Sequence, residues 1–182
     1  MSKEQNFNLP NILAAFRILL APLMLWFMID QSNPIFTQWH PSWFDYIAGL
    51  IFVIASVTDF FDGFIARKWN QMTKLGAILD PLADKMLMLA GFIGLIALDR
   101  ASAFAVFLIL SREFFITGLR VVAVAEGKNV ASSMSGKIKT VMQMIAIGFL
   151  IMNWPFANEL LWTAVALTLY SGWEYVRDYF KS

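Results

Sequence analysis

Residues 58–67 read TDFFDGFIAR and residues 76–85 read GAILDPLADK, so an otherwise apolar region carries four aspartates within 26 residues. The first two aspartates are three residues apart and the last two are four apart: Asp59, Asp62, Asp80 and Asp84. On a helix, either spacing places both carboxylates on one face. The two segments therefore predict two helices that each present a pair of carboxylates.

The rest of the chain is too apolar for a soluble domain. Its 182 residues are 59% hydrophobic and 15% charged, with a mean hydropathy of +0.62, whereas soluble domains carry about 25% charged residues. So few polar residues cannot cover the large surface of a chain this short. With no cysteine and the single histidine His40, the chain offers no disulfide framework and little material for a zinc site or a Ser-His-Asp triad. The composition predicts an all-α integral membrane protein.

Breaks in the apolar pattern predict six transmembrane helices in a single domain, residues 1–182. The helices are expected at roughly residues 11–30, 43–66, 80–98, 102–124, 136–153 and 158–177. Lysine and arginine collect at the two termini and on alternate connections, which places both termini on the cytoplasmic side. No cleavable signal pattern precedes the first apolar run, so we expect this run to be kept.

The two carboxylate pairs are expected to meet. The residues between them, 68–75, are polar and basic, which predicts a short cytoplasmic turn and an antiparallel hairpin. Four converging carboxylates repel one another, and Mg²⁺, Mn²⁺ or Ca²⁺ relieves that repulsion through oxygen ligands. Four can also hold two ions, as sites for phosphoryl displacement do. The alternative is a set of helix-end carboxylates that stay solvated or pair with Arg67, Lys74 and Lys85.

The spacing D-x2-D-G-x2-A-R-x8-G-x3-D-x3-D resembles the signature of the CDP-alcohol phosphatidyltransferase family. Its eight fixed positions are all filled: Asp59, Asp62, Gly63, Ala66, Arg67, Gly76, Asp80 and Asp84. The resemblance implies a homodimeric six-helix enzyme with its site open to the cytoplasm. In such an enzyme an alcohol hydroxyl attacks the β-phosphate of a CDP-linked lipid, and CMP leaves.

The same resemblance assigns roles by position. It implies a divalent metal, either Mg²⁺ or Mn²⁺, with two ions bound in the site. The implied ligands are Asp59, Asp62, Asp80 and Asp84. Asp84 is either a ligand or the general base that accepts the hydroxyl proton, and the residues alone leave both open. Binding of the CDP moiety is implied for Asp59, Gly63, Ala66, Arg67 and Gly76.

Three further stretches resemble a bacterial subgroup whose acceptor is sn-glycerol 3-phosphate. They are NLPNILAAFR at 8–17, SREFFITGLR at 111–120 and GKIKTVMQ at 136–143. Ala14 stands where that subgroup commonly has threonine. The resemblance implies phosphatidylglycerophosphate as product, CDP-diacylglycerol as donor and a bacterial inner membrane as location. The alternative acceptors are phosphatidylglycerol, for cardiolipin synthesis, and an inositol phosphate.

A second group of charges is expected to bind the phosphate of the acceptor. Arg112 and Arg120 are eight residues apart, near two helical turns, and Lys137 and Lys139 stand at the start of the fifth predicted helix. An acceptor that carries its own phosphate needs such cations, whereas serine or choline does not. The alternatives are positive-inside anchors for the two lysines and a structural ion pair between Arg112 and Glu113.

Two questions stay open at this level. Arg17, inside the first predicted helix, either snorkels to the headgroups or reaches the carboxylates. Intramembrane carboxylates also occur in transporters and channels. The aspartates collect at one membrane face and no inverted repeat is visible, which favours an enzyme over a transporter. A purely structural anchor leaves the aspartates unexplained.

Overall fold

The computed structural model describes residues 9–31, 40, 42–68, 76–127 and 134–181, with the side chains at 9–10, 60–68 and 77–78 outside the description. Within these residues the chain is all helical, which confirms the predicted fold class. Every helix boundary lies within four residues of its predicted position. The helices are α1 Leu9–Ile29, α2 Ser42–Lys68, α3 Gly76–Ala97, α4 Ala103–Ala125, α5 Met134–Ile151 and α6 Ala157–Lys181.

Three helices are long and apolar enough to cross a membrane by length and composition: Asn11–Ile29, Ser42–Asp59 and Met134–Ile151. The other three, α3, α4 and α6, have 22, 23 and 25 residues. At 1.5 Å per residue each is long enough for a hydrocarbon core of about 30 Å, and each contains at least three charged residues. The chain is a helical membrane protein, and the count of six spans stays a prediction.

The helices group into two compact units, Met1–Leu98 and Asp99–Ser182. In the first unit, α1 packs extensively against both α3 and α2, whereas α2 and α3 touch each other much less. The predicted hairpin of α2 and α3 is therefore not the main packing contact. The reason lies in small residues: at Gly94 of α3 an added Cβ would stand only 2.7 Å from Met28 Sδ of α1. Such close approach lets helices pack tightly in a membrane.

In the second unit, α6 packs against α5 and α4. Its core includes a buried hydrogen bond in which Gln143 Nε2 donates to Thr168 Oγ1 at 2.7 Å. At the ends of the helices, Ser102 caps α4 by accepting a bond from the Ala105 amide. Arg100 Nη1 donates to the carbonyl oxygen of Ile151, the last residue of α5, at 2.6 Å. The single-domain assignment of residues 1–182 stays a prediction.

Candidate active site

Arg17 of α1 is the centre of the predicted carboxylate site. Its side chain is 0% exposed, although it lies in a helix that is apolar enough to cross a membrane. Nη1 donates to Asp84 Oδ1 at 2.8 Å and also to Asp59 Oδ1, and Nη2 lies 3.8 Å from Asp80 Oδ1. Arg17 therefore does not snorkel to the headgroups. It reaches the aspartates and is a residue that the predicted site set does not include.

We name Asp59, Asp80, Asp84 and Arg17 the carboxylate site. The three aspartates come together because α1 packs against both of the helices that carry them, not because α2 and α3 face each other. Asp80 and Asp84 are one turn apart in the first three turns of α3, so they share a face. The aspartate side chains are between 29% and 42% exposed, which keeps them accessible while the guanidinium is covered.

The chemistry of the site suits a hard divalent cation. Asp80 Oδ1 is buried and accepts no hydrogen bond from the described residues. Carboxylate oxygens are the ligands that Mg²⁺ and Mn²⁺ prefer. Within the described ranges, no group of three or more His, Asp or Glu residues has a geometry that could hold a metal ion. The side chain of Asp62, the fourth predicted ligand, lies outside the described side chains, so the complete ligand set stays a prediction.

The predicted CDP-binding residues flank the connection between α2 and α3. The backbone of α2 is helical through Lys68, and three members of the set lie where the structure does not describe side chains: Gly63, Ala66 and Arg67. Gly76 is buried and begins α3. Asp59, also a member of the set, forms an ion pair with Arg17. The CDP-binding role of this set stays a prediction.

The second predicted group of charges is assembled around Glu113. Its Oε1 accepts from Arg112 Nη1 at 3.3 Å and from Lys139 Nζ of α5. The side chains of Arg112 and Lys139 are only 10% and 7% exposed. We name Arg112, Glu113 and Lys139 the cationic cluster, because its contacts join two cations to one carboxylate. Lys139 is buried in this cluster and does not extend to the headgroups as an anchor.

The other two predicted phosphate-binding residues lie apart from these contacts. Lys137 is exposed and precedes Lys139 by two residues, a rotation of about 200° around the helix. Arg120 is also exposed, and its Cζ lies 5.7 Å from the centroid of the Tyr175 ring on α6. A cation–π contact of this kind contributes about 0.5–1 kcal/mol at an exposed position. The described contacts thus bring Arg112 and Lys139 together and leave Lys137 and Arg120 outside the cluster.

Helix α6 supports the cationic cluster, a role that the sequence predictions do not contain. Arg112 Nη2 donates to Ser171 Oγ at 2.9 Å, and the aliphatic part of Arg112 lies against Gly172. The sequence contains a pattern that indicates this role of α6. Small and polar residues recur at helical spacing on one buried face of the helix: Thr168, Ser171, Gly172 and Tyr175. These small and polar residues stand in a helix whose other buried positions are largely apolar.

The fold and the two groups of charges together indicate the class of protein. The helices are long and apolar, Arg17 is buried among carboxylates, and a second group of charges is buried around Glu113. The chain is a helical membrane protein with charged side chains buried among its helices, and such charges are costly and mark functional sites. The chain belongs to the CDP-alcohol phosphatidyltransferase family, whose model matches residues 7–170.

Individual relatives agree with this assignment. The chain is 42% identical to the CDP-diacylglycerol–glycerol-3-phosphate 3-phosphatidyltransferase of Bacillus subtilis, with 93% of each chain covered. It is 37% identical to the protein of the same name from Escherichia coli K12, with 93% of each chain covered. The Rickettsia felis protein of that name is 36% identical, over 93% of this chain and 94% of the relative.

Proposed function

We propose that this protein transfers the phosphatidyl group of CDP-diacylglycerol to sn-glycerol 3-phosphate and so acts as a phosphatidylglycerophosphate synthase. The observation that carries the proposal is the similarity over 93% of the chain to relatives named for this reaction. The eight-position aspartate motif lies within the matched region. The described aspartates of that motif converge on one guanidinium.

The proposed reaction is a displacement at phosphorus. A hydroxyl oxygen of glycerol 3-phosphate forms a bond to the β-phosphorus, and the bond from that phosphorus to the bridging oxygen breaks, so that CMP leaves with the bonding pair. Asp84, whose side chain is 42% exposed, is proposed as the general base that accepts the hydroxyl proton. A divalent cation held by Asp59, Asp62 and Asp80 would neutralise the charge of the diphosphate, and the alternative role of Asp84 is that of a further ligand to this cation.

Arg17 contributes a fixed positive charge to this site. Its guanidinium donates to Asp59 and Asp84, which holds side chains of α2 and α3 in one place. Displacement at phosphorus depends mainly on positioning and charge neutralisation, so a fixed geometry of this kind matters for rate. Gly63, Ala66, Arg67 and Gly76, together with Asp59, are proposed to bind the CDP moiety: this is the role that the family motif gives their positions.

The cationic cluster is proposed to bind the phosphate of the acceptor. Arg112 Nε is buried and donates to no acceptor among the described residues. A phosphate oxygen is a strong acceptor for such a donor, and arginine binds phosphate with its planar fork. Lys139 would add a second cation, and the exposed Lys137 and Arg120 would attract the anion without belonging to the cluster.

The charge pattern supports a proposal for the membrane topology of the protein. We propose six membrane-spanning helices in one domain of a bacterial inner membrane, with both termini and the active site in the cytoplasm. The excess of lysine and arginine at the termini and on alternate connections supports this orientation. A homodimer is proposed from the family resemblance.

The test is CMP release by the purified protein in detergent with CDP-diacylglycerol and Mg²⁺ or Mn²⁺. Glycerol 3-phosphate, inositol phosphate, serine and phosphatidylglycerol are compared as acceptors. We expect turnover with glycerol 3-phosphate alone, and loss of turnover with EDTA. Turnover with another acceptor would overturn the substrate assignment, and turnover in EDTA would overturn the metal assignment.

A pair of variants tests the carboxylate site itself. Asp80→Asn is expected to abolish transfer while the protein still inserts into membranes. Asp178→Asn is the matched control, because Asp178 pairs with Arg177 at 3.0 Å on the exposed end of α6. We expect that control to keep full activity. Activity retained in Asp80→Asn would contradict the assignment of this residue.

A further inference from the structure

Arg112 is held against α6 in a way that leaves it little freedom. A Cβ added at Gly172 would lie 3.0 Å from Arg112 Cγ and 3.2 Å from Nε. Real Cβ atoms are rarely so close to a neighbour, so a side chain at position 172 forces Arg112 to move by a few tenths of an ångström. The glycine therefore determines how closely the arginine approaches the backbone of α6.

Ser171 fixes the far end of the same arginine. Its hydroxyl is fully buried, accepts from Arg112 Nη2 at 2.9 Å and donates to the Thr168 carbonyl oxygen at 3.1 Å. The donation to a helix carbonyl turns the oxygen lone pairs toward the guanidinium. Glu113 holds Nη1 from the side of α4. Contacts from two helices thus set the direction of the guanidinium.

This arrangement serves more than the stability of α4 and α6. A buried ion pair contributes little net stability, because desolvation offsets most of the attraction. Glycine in mid-helix is about 1 kcal/mol worse than alanine, so Gly172 lowers the intrinsic stability of α6 while it leaves room for the Arg112 side chain. Arg112 also keeps a donor that Glu113 and Ser171 do not use, since its Nε is buried beside Gly172 without an acceptor among the described residues, and a guanidinium held in a fixed direction suits the binding of an anion.

We propose that Gly172 and Ser171 are positioning residues that set the Arg112 guanidinium for the acceptor phosphate, so that α6 determines acceptor specificity. The inference rests on the proposed function, because it takes the acceptor to be a phosphorylated alcohol bound by Arg112. It predicts that changes on α6 alter the KM for the acceptor and leave the handling of CDP-diacylglycerol unchanged.

The experiment measures kcat and both KM values for Gly172→Ala in detergent with Mg²⁺. A displacement of 1 Å can cost about a hundredfold, so a few tenths of an ångström are expected to raise the KM for glycerol 3-phosphate by about three- to tenfold. The KM for CDP-diacylglycerol and kcat should change less than about twofold. Gly148→Ala on α5 is the matched control, because nothing lies within 4 Å of an added Cβ there.

A double variant shows whether the effect passes through Arg112. In an Arg112→Met background, Gly172→Ala should not raise the acceptor KM further, because the group that it displaces is gone. An equal rise in that background would overturn the inference. A fall in kcat with both KM values unchanged would also overturn it, since it indicates a structural role only.

Ser171→Ala keeps the inference testable should Gly172→Ala not fold. It removes one hydroxyl without adding volume, and it should also raise the acceptor KM selectively. An unchanged acceptor KM in this folded variant would overturn the inference. Failure of the proposed function gives a different result from failure of this inference. If the wild-type protein uses no phosphorylated acceptor, the proposed function is refuted. If Arg112→Met leaves the acceptor KM unchanged, only the role of the arginine is refuted.

Discussion

Removal of the Arg17 charge should destabilise the first unit, and the structure sets the size of the effect. Arg17→Met keeps most of the side-chain volume but leaves Asp59 and Asp84 without their shared cation. Removal of one partner from a fully buried pair costs about 3–5 kcal/mol, whereas an exposed pair contributes about 0–1 kcal/mol.

The expected value lies between these limits. The arginine is 0% exposed, but its two aspartate partners are 29% and 42% exposed, so water compensates part of the lost contact. We expect a loss of about 2–3 kcal/mol, which corresponds to about 4–12 °C in Tm for a chain of this size. The aspartates are then free to repel one another.

The assay is thermal unfolding in detergent, with EDTA and then with Mg²⁺. Arg177→Met is the matched control, because it removes an arginine from an exposed pair and should change Tm by at most a few degrees. Added Mg²⁺ should raise the Tm of Arg17→Met more than that of wild type, since it supplies the missing positive charge.

Two results would refute the reasoning. One is an Arg17→Met protein whose Tm in EDTA falls no further than that of Arg177→Met. The other is a response to Mg²⁺ that is the same in Arg17→Met and wild type. Addition of Asp59→Asn to Arg17→Met should recover part of the Tm, because it removes one of the repelling charges.

Three smaller changes test the packing of each unit. Gly94→Ala should lower Tm, because overpacking against Met28 costs about 1–3 kcal/mol and exceeds a gain in helix propensity of about 1 kcal/mol. Thr168→Val should cost about 1–3 kcal/mol by thermal unfolding, because it leaves the Gln143 amide buried without its acceptor. Ser102→Ala should cost about 0.5 kcal/mol, the low end for an N-cap, because its bond to the α4 backbone is 3.4 Å long. Hydrogen exchange in the first turn of α4 should rise accordingly.

Each of these changes has a control or a contrary outcome. Gly118→Ala meets nothing within 4 Å and should stabilise α4 by up to about 1 kcal/mol, so the two glycine variants should differ in sign. Thr163 is exposed and bonds only its own helix, so Thr163→Val should stay within about 0.5 kcal/mol of wild type. If hydrogen exchange in the first turn of α4 is unchanged in Ser102→Ala, the assignment of Ser102 as the N-cap of this helix is contradicted.

The helices and the grouping of the aspartates were predictable from local sequence. Apolar runs with breaks predict the helices to within four residues, and the four-residue spacing of Asp80 and Asp84 predicts a shared face. The part played by Arg17 was not predictable in the same way. It depends on α1 packing against two later helices at once, which no local pattern encodes.

Two features of the second unit could have been predicted but were not. Lys137 and Lys139 are two residues apart, so helix geometry already places them on different faces. The spacing of Ser171, Gly172 and Tyr175 already marks a buried face of α6. The partners of these residues, in contrast, depend on tertiary packing.

The burial of Arg17 also bears on how the protein is made. Its partners Asp59 and Asp84 follow it by 42 and 67 residues in the chain. A ribosome that adds about 5–20 residues per second needs about 3–13 s to reach the second of them. During that interval the first helix enters the bilayer with a cation whose partners have not yet been synthesised. The span Asn11–Ile29 has a mean hydropathy of 2.2 even with Arg17 included, which favours insertion of the helix before those partners exist. Membrane insertion of the nascent chain and completion of its charged site are therefore separate events in time.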